Sequence, residues 1–188
     1  MPRLFSGLQL PEDIKSSLSE IEMPIPGASW IEEDDLHITL RFAGDIDNRR
    51  SHDFADELAR IDIDVFELVL EGVHVLGGND PKILYAGLRP SPPLEALARA
   101  HERAARAAGL PPETRPFKPH VTLARLRNAD IASLTKVLQV HALYRSRPFM
   151  VEEFVLFSSR PKTGGGPYAL EESFPLRGAS HTLADLYE

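Results

Sequence analysis

Two tetrapeptides carry residue types that can do chemistry: His37-Ile38-Thr39-Leu40 and His120-Val121-Thr122-Leu123. Each sits in a stretch that reads as a strand, about Leu36 to Phe42 and about His120 to Leu126. Side chains alternate across a strand, so each His shares a face with its Thr while Ile38 and Val121 point to the core. An imidazole titrates near neutral pH and can give or take a proton. A hydroxyl can donate to a non-bridging phosphate oxygen. Two of each, facing one another, suit an in-line displacement at phosphorus with an acid on one side and a base on the other. One such motif is an ordinary feature of a strand. Two copies 83 residues apart, in a chain with seven His, point to a shared site.

Composition narrows the alternatives. The chain has 188 residues and no Cys, which excludes disulfides, thiolate nucleophiles and Cys-based zinc sites. Neither motif supplies a carboxylate, so the two His alone offer too few ligands for a good zinc site, and no metal or cofactor is expected. There is no His-Glu-x-x-His, EF-hand or Walker sequence. The net charge of −7 argues against broad clinging to nucleic acid. Within it lies a basic segment, Arg99 to Arg127, with seven Lys or Arg against Glu102 and Glu113. The opening MPRLFSGLQLPED does not resemble a secretory signal, and no apolar run approaches the roughly 18 residues of a membrane span. A cytoplasmic protein without membrane contact is the expectation.

The elements that must hold the two motifs form a repeat. Leu4-Phe5-Ser6-Gly7-Leu8 is matched by Leu84-Tyr85-Ala86-Gly87-Leu88, and each copy is followed by a helix and then a His-x-Thr-Leu strand. Helices are expected from Pro11 to about Ile21, after Asp47 or Asn48, from Pro92 to Gly109, and over about Asp130 to Val140. Further strands are expected near Val65 to Leu76, Lys82 to Leu88, Phe149 to Ser158 and Tyr168 to Leu176. The pattern is β-α-β-α-β written twice. It predicts an α+β, bilobal, pseudo-twofold fold, with antiparallel sheets lining a central cleft and helices outside. Residues 1–177 form one domain in this reading, with repeats at approximately 3–76 and 82–158 and a tail at 178–188.

These residues carry a resemblance. HITLRF and PHVTLAR, with the opening RLF strand, Trp30, the FKPHVTLAR run and LFSSRPKTGGGPYALEESFPL, resemble the 2H phosphoesterase superfamily. The similar branch is that of the RNA 2',3'-cyclic phosphodiesterases, also called 2'-5' RNA ligases. The resemblance implies that His37 is the proton donor and His120 the proton acceptor, and that Thr39 and Thr122 hold the phosphate. It implies RNA ends or nucleotides with a 2',3'-cyclic phosphate as partners, a 2'-phosphate product, and 2'-5' ligation as the reverse reaction. Nothing points to an obligate protein partner, and a monomer is expected. Phe42-Ala43-Gly44 stands where Phe-Leu-Gly is more usual, and Ser6-Gly7 replaces bulkier residues.

Strand parity and resemblance disagree over the arginines. Arg41, four residues past His37, shares its face by parity; Arg125, five past His120, does not, yet the resemblance favours Arg125 as the phosphate or base contact. A strand-end twist or a bulge could reconcile them. Phe117 and Lys118, just before His120, suit base stacking and phosphate contact, with plain packing as the competing role for Phe117. Tyr168 lies within reach as a further substrate contact. Among the other His, His52 and His101 are expected to face solvent, His74 to be structural, and His141 and His181 to follow a helix and lie in the tail. The competing function is a module that binds RNA ends or nucleotides without turnover.

Overall fold

Helix starts follow the caps written into the sequence. The computed structural model describes residues 3–159 and 168–179. α1 (Glu12–Ser19) follows Pro11, and α2 (Asn48–Ala59) begins behind Asp47, whose carboxylate accepts the Arg50 N–H at 2.8 Å. α3 (Pro92–Ala107) begins behind Ser91, which accepts the Leu94 N–H at 3.2 Å. α4 (Ile131–Val140) begins behind Asp130, which accepts the Ser133 N–H at 3.0 Å. In the last three a side-chain oxygen satisfies an N–H that the first turn leaves open.

The strands are β1 (Arg3–Gln9), β2 (Ala28–Trp30), β3 (His37–Asp45), β4 (Phe66–Leu68), β5 (Leu70–Leu76), β6 (Ile83–Leu88), β7 (Val121–Leu126), β8 (Phe149–Val151), β9 (Glu153–Ser158) and β10 (Ala169–Pro175). Eight of them make one sheet in the order β10-β9-β1-β3-β7-β6-β5, with β2 also on β7, while β4 and β8 pair separately. All these pairings are antiparallel. Where antiparallel sheets lining a cleft were expected, one continuous sheet is found: among the described residues its β10-β9-β1-β3 and β7-β6-β5 portions meet at the single pair Ile38–Val121. The short strand β2 and the 3-10 turn Glu33–Asp35 add to the expected elements. Residues 160–167, with the glycine triplet 164–166, and residues 180–188, with His181, lie outside the described residues.

Alternation gives the sheet two unlike faces. Leu4, Ser6 and Leu8 of β1, Ile38 of β3, Leu84 and Ala86 of β6 and Val121 of β7 are all buried. Their apolar members share one core with Ile14 and Leu18 of α1, Phe54 and Leu58 of α2, and Leu94 and Leu97 of α3. The other face carries His37, Thr39 and Thr122, each half-buried. Gly7 is required where β1 crosses β3, because a Cβ there would lie 2.4 Å from the Ile38 carbonyl oxygen. No helix among the described residues is long and apolar enough to cross a membrane.

His101 does not face solvent as expected; it is fully buried. Its Nδ1 is 2.6 Å from Ser6 Oγ, and its ring meets Phe154 edge-on at 4.5 Å. Nε2 has no hydrogen-bond partner among the described residues. Burial pushes its pKa down to about 3. The sequence held the signal, since Leu94, Leu97, His101 and Ala105 recur at helical spacing along the buried stripe of α3.

Candidate active site

The site is built around the single pair at which β3 and β7 meet. Ile38 and Val121 are both 0 % exposed. In an antiparallel pair the residues one step either way come side by side on the opposite face. His37 is thereby directed toward Thr122, and His120 toward Thr39. His37 Nδ1 is 2.7 Å from the Asp35 carbonyl oxygen, and His120 Nδ1 is 2.7 Å from that of Lys118. A carbonyl can only accept, so each Nδ1 carries a hydrogen and each Nε2 is left to exchange a proton. His37 Nε2 is 3.1 Å from Thr39 Oγ1.

One-residue bulges resolve the two arginines. Gly7 pairs with Thr39 and Ser6 with Arg41, so Leu40 is the extra residue on β3. Tyr85 pairs with Thr122 and Leu84 with Ala124, so Leu123 is the extra residue on β7. Each bulge reverses the parity beyond it. Arg125 therefore joins the His-Thr face, with Nη2 3.4 Å from Tyr168 Oη. Arg41 goes to the other face, against the parity expectation. It is 9 % exposed and ion-paired to Glu102 of α3 at 2.5 Å, and it also donates to the Pro111 carbonyl at 2.6 Å and to that of Phe42. Glu102 in turn accepts from Arg106 at 2.8 Å and from the Glu113 N–H at 3.0 Å. Arg41 thus helps fix the wall of the site, held by Glu102 and two carbonyls.

The two histidines differ in their surroundings. Phe5, Tyr168 and Phe157 lie 5.1, 5.3 and 5.6 Å from the His37 ring. His120 has Tyr85, edge-on at 5.5 Å. Burial pushes the His37 pKa below its ordinary value; the Asp35 carbonyl and carboxylate oppose this, and the positive charges of His120 and Arg125 add to the lowering.

Beside His120 opens a cavity of about 440 Å³, lined among others by Thr39, Phe42, Phe117 and Lys118. A smaller one of about 50 Å³ lies beside His37, with Gln9, Asp35 and Tyr168 in its wall. Phe117 is half-buried and Lys118 exposed. Sequence reasoning missed Phe5, Tyr85, Phe157 and Phe42. The first two stand at the same place in the repeat, and Phe42, like Arg125, is five residues past a motif His. Among the described residues no three His, Asp or Glu side chains cluster so as to hold a metal ion.

An antiparallel sheet with four helices among the described residues, carrying paired His-x-Thr strands, defines a class. The matching family is the 2'-5' RNA ligase superfamily, over residues 10–163, and the chain belongs to it. The RNA 2',3'-cyclic phosphodiesterase of Bacillus subtilis (strain 168) is 31 % identical over 130 residues, 66 % of this chain and 71 % of that protein. That of Thermus thermophilus is 30 % identical over 188 residues, 94 % of this chain and 91 % of that protein. That of Geobacillus stearothermophilus is 28 % identical over 183 residues, 93 % of this chain; these span only 57 % of that relative's length. Among solved structures, Escherichia coli LigT complexed with 3'-AMP is 25 % identical, with a TM-score of 0.75 over 94 % of this chain and 99 % of that one. TT0787 of Thermus thermophilus is 26 % identical, with a TM-score of 0.74 over 95 % and 100 %.

Proposed function

We propose that the protein hydrolyses a terminal RNA 2',3'-cyclic phosphate to a 2'-phosphate, with His37 and His120 as its acid-base pair and no metal. The observation that carries this reading is the pair of histidines flanking Ile38–Val121, each with Nδ1 held by a carbonyl and Nε2 free to exchange a proton. In this mechanism His120 Nε2 takes a proton from water as the water oxygen bonds to phosphorus. The bond from phosphorus to the ribose 3' oxygen breaks, and His37 Nε2 gives that oxygen its proton. Thr39 and Thr122 donate to the non-bridging oxygens, and Arg125 offsets the charge that builds on them. A terminal 5'-hydroxyl in place of water gives a 2'-5' linkage by the same steps.

The lowered pKa of His37 bears on this assignment, because a donor must be protonated. The phosphate anion supplies the missing negative charge, so substrate binding itself charges His37. Phe117 and Lys118, beside the larger cavity, take the base and a phosphate, and Tyr168 orders Arg125. The chain is read as one domain over residues 1–177, two copies of one unit about a pseudo-twofold, acting as a monomer. A module that only binds RNA ends would have little use for two imidazoles each oriented to exchange a proton at Nε2.

Replacing either His with Asn tests the reading. His37→Asn and His120→Asn are each expected to lower kcat/KM on a cyclic-phosphate oligonucleotide by at least about 10²-fold, with the fold retained. Turnover unaffected by either change overturns the assignment, and so does activity abolished by EDTA.

A further inference from the structure

A further cavity, of about 340 Å³, shares Lys118 in its wall with the 440 Å³ cavity beside His120. Its lining includes Tyr85, His74 and Arg89. His74 and Tyr85 are direct cross-strand partners on β5 and β6, and Tyr85 is the partner of Thr122 on β7. Their rings form a row that leads away from the reacting centre: His74 is 5.5 Å from Tyr85, and Tyr85 is 5.5 Å from His120.

His74 is exposed, yet its ring has a made seat. A Cβ on Gly72 would lie 2.6 Å from His74 Nε2, and one on Gly87 would lie 3.1 Å from its Cδ2. Two glycines on neighbouring strands therefore leave the hollow that the imidazole fills. The Gly72 backbone, at a φ of +80°, further disfavours any side chain there. A ring held this way has little rotational freedom left to lose, so stacking a base on it costs less entropy than stacking on a freely rotating side chain.

We propose that this 340 Å³ cavity is the subsite for the nucleotide preceding the one that bears the cyclic phosphate, with its base stacked on His74. The proposal rests on the cyclic-phosphate reading of the His37–His120 site. Single-stranded RNA is held by stacking bases on Phe, Tyr, Trp or His and by cations along the backbone. Lys118, common to the walls of this cavity and the one beside His120, is placed for the phosphate that links the two nucleotides. Arg89, 3.6 Å from Glu71, stands at the far side.

The test compares 2',3'-cyclic AMP with the dinucleotide ApA ending in a 2',3'-cyclic phosphate. The wild-type kcat/KM is expected to favour the dinucleotide by about tenfold or more, the scale of one stacked base. His74→Ala is expected to reduce that ratio at least fivefold, and His74→Phe, which keeps a ring, to retain it. A wild-type ratio near one, a ratio unmoved in His74→Ala, or loss of the ratio in His74→Phe overturns the subsite. Should the wild-type protein turn over neither substrate, the catalytic reading fails and binding decides the subsite separately. The 2'-phosphates of ApA and adenosine are then the probes, with the same ratios expected among the three proteins and the same results contradicting them.

Discussion

Phe42 and Arg125 each stand five residues beyond a motif histidine, and one-residue bulges at Leu40 and Leu123 turn both toward the His-Thr face. The same device moves Arg41 away from that face, onto Glu102. The two arginines should therefore fail differently. Arg125→Ala is expected to lower kcat about 10²-fold with little loss of stability, as for removal of one donor to a developing oxyanion. Arg41→Ala is expected to cost about 2 kcal/mol of stability, because it leaves Glu102 and the Pro111 carbonyl short of a donor. Urea unfolding alongside kinetics separates the two, and equal stability losses would contradict the bulge geometry.

The electrostatics of His37 give a second expectation. In the free protein its pKa lies below 6.5, through burial first and then the charges of His120 and Arg125. Binding of a nucleotide 2'-phosphate should raise it, and Arg125→Ala should raise it in the free protein. Imidazole resonances followed by NMR over a pH titration spanning the acidic to mildly alkaline range read both shifts. A pKa that falls on binding would be incompatible with His37 as the donor.

His101 links pH to stability. It is neutral in the fold down to a pKa of about 3, whereas in the unfolded chain it protonates near 6.5. Between those values the unfolded state binds a proton that the folded state refuses, so stability falls as pH drops below 6.5 and is unaffected above it. The slope from this one group approaches about 1.4 kcal/mol per pH unit. His101→Asn should flatten the profile by that amount between about pH 4 and 6, as read by urea midpoints. Parallel profiles for the two proteins would contradict the burial.

Much of this arrangement is legible in residue order. Caps at Asp47, Ser91 and Asp130 mark the helices, and the spacing of His37 from Thr39 and of His120 from Thr122 sets the face they share. The bulges are not legible, because Leu40 and Leu123 look like any buried strand residue; the extra residue is seen only against a partner strand. The joining of the sheets at Ile38–Val121 depends in the same way on pairing across 83 residues. The polarity of His101 masks its place on the apolar stripe of α3. The rings around His37 come from two strands, β1 and β9, and from the residue before β10, and local pattern cannot bring those together.

Phosphorus NMR of an oligonucleotide with a 2',3'-cyclic phosphate end, incubated with the protein in EDTA, tests the central claim most directly. The account predicts that the cyclic-phosphate signal is replaced by that of a 2'-phosphate monoester, and that His37→Asn and His120→Asn each leave it in place. A 3'-phosphate product, or an unchanged cyclic phosphate with the wild-type protein, would contradict it.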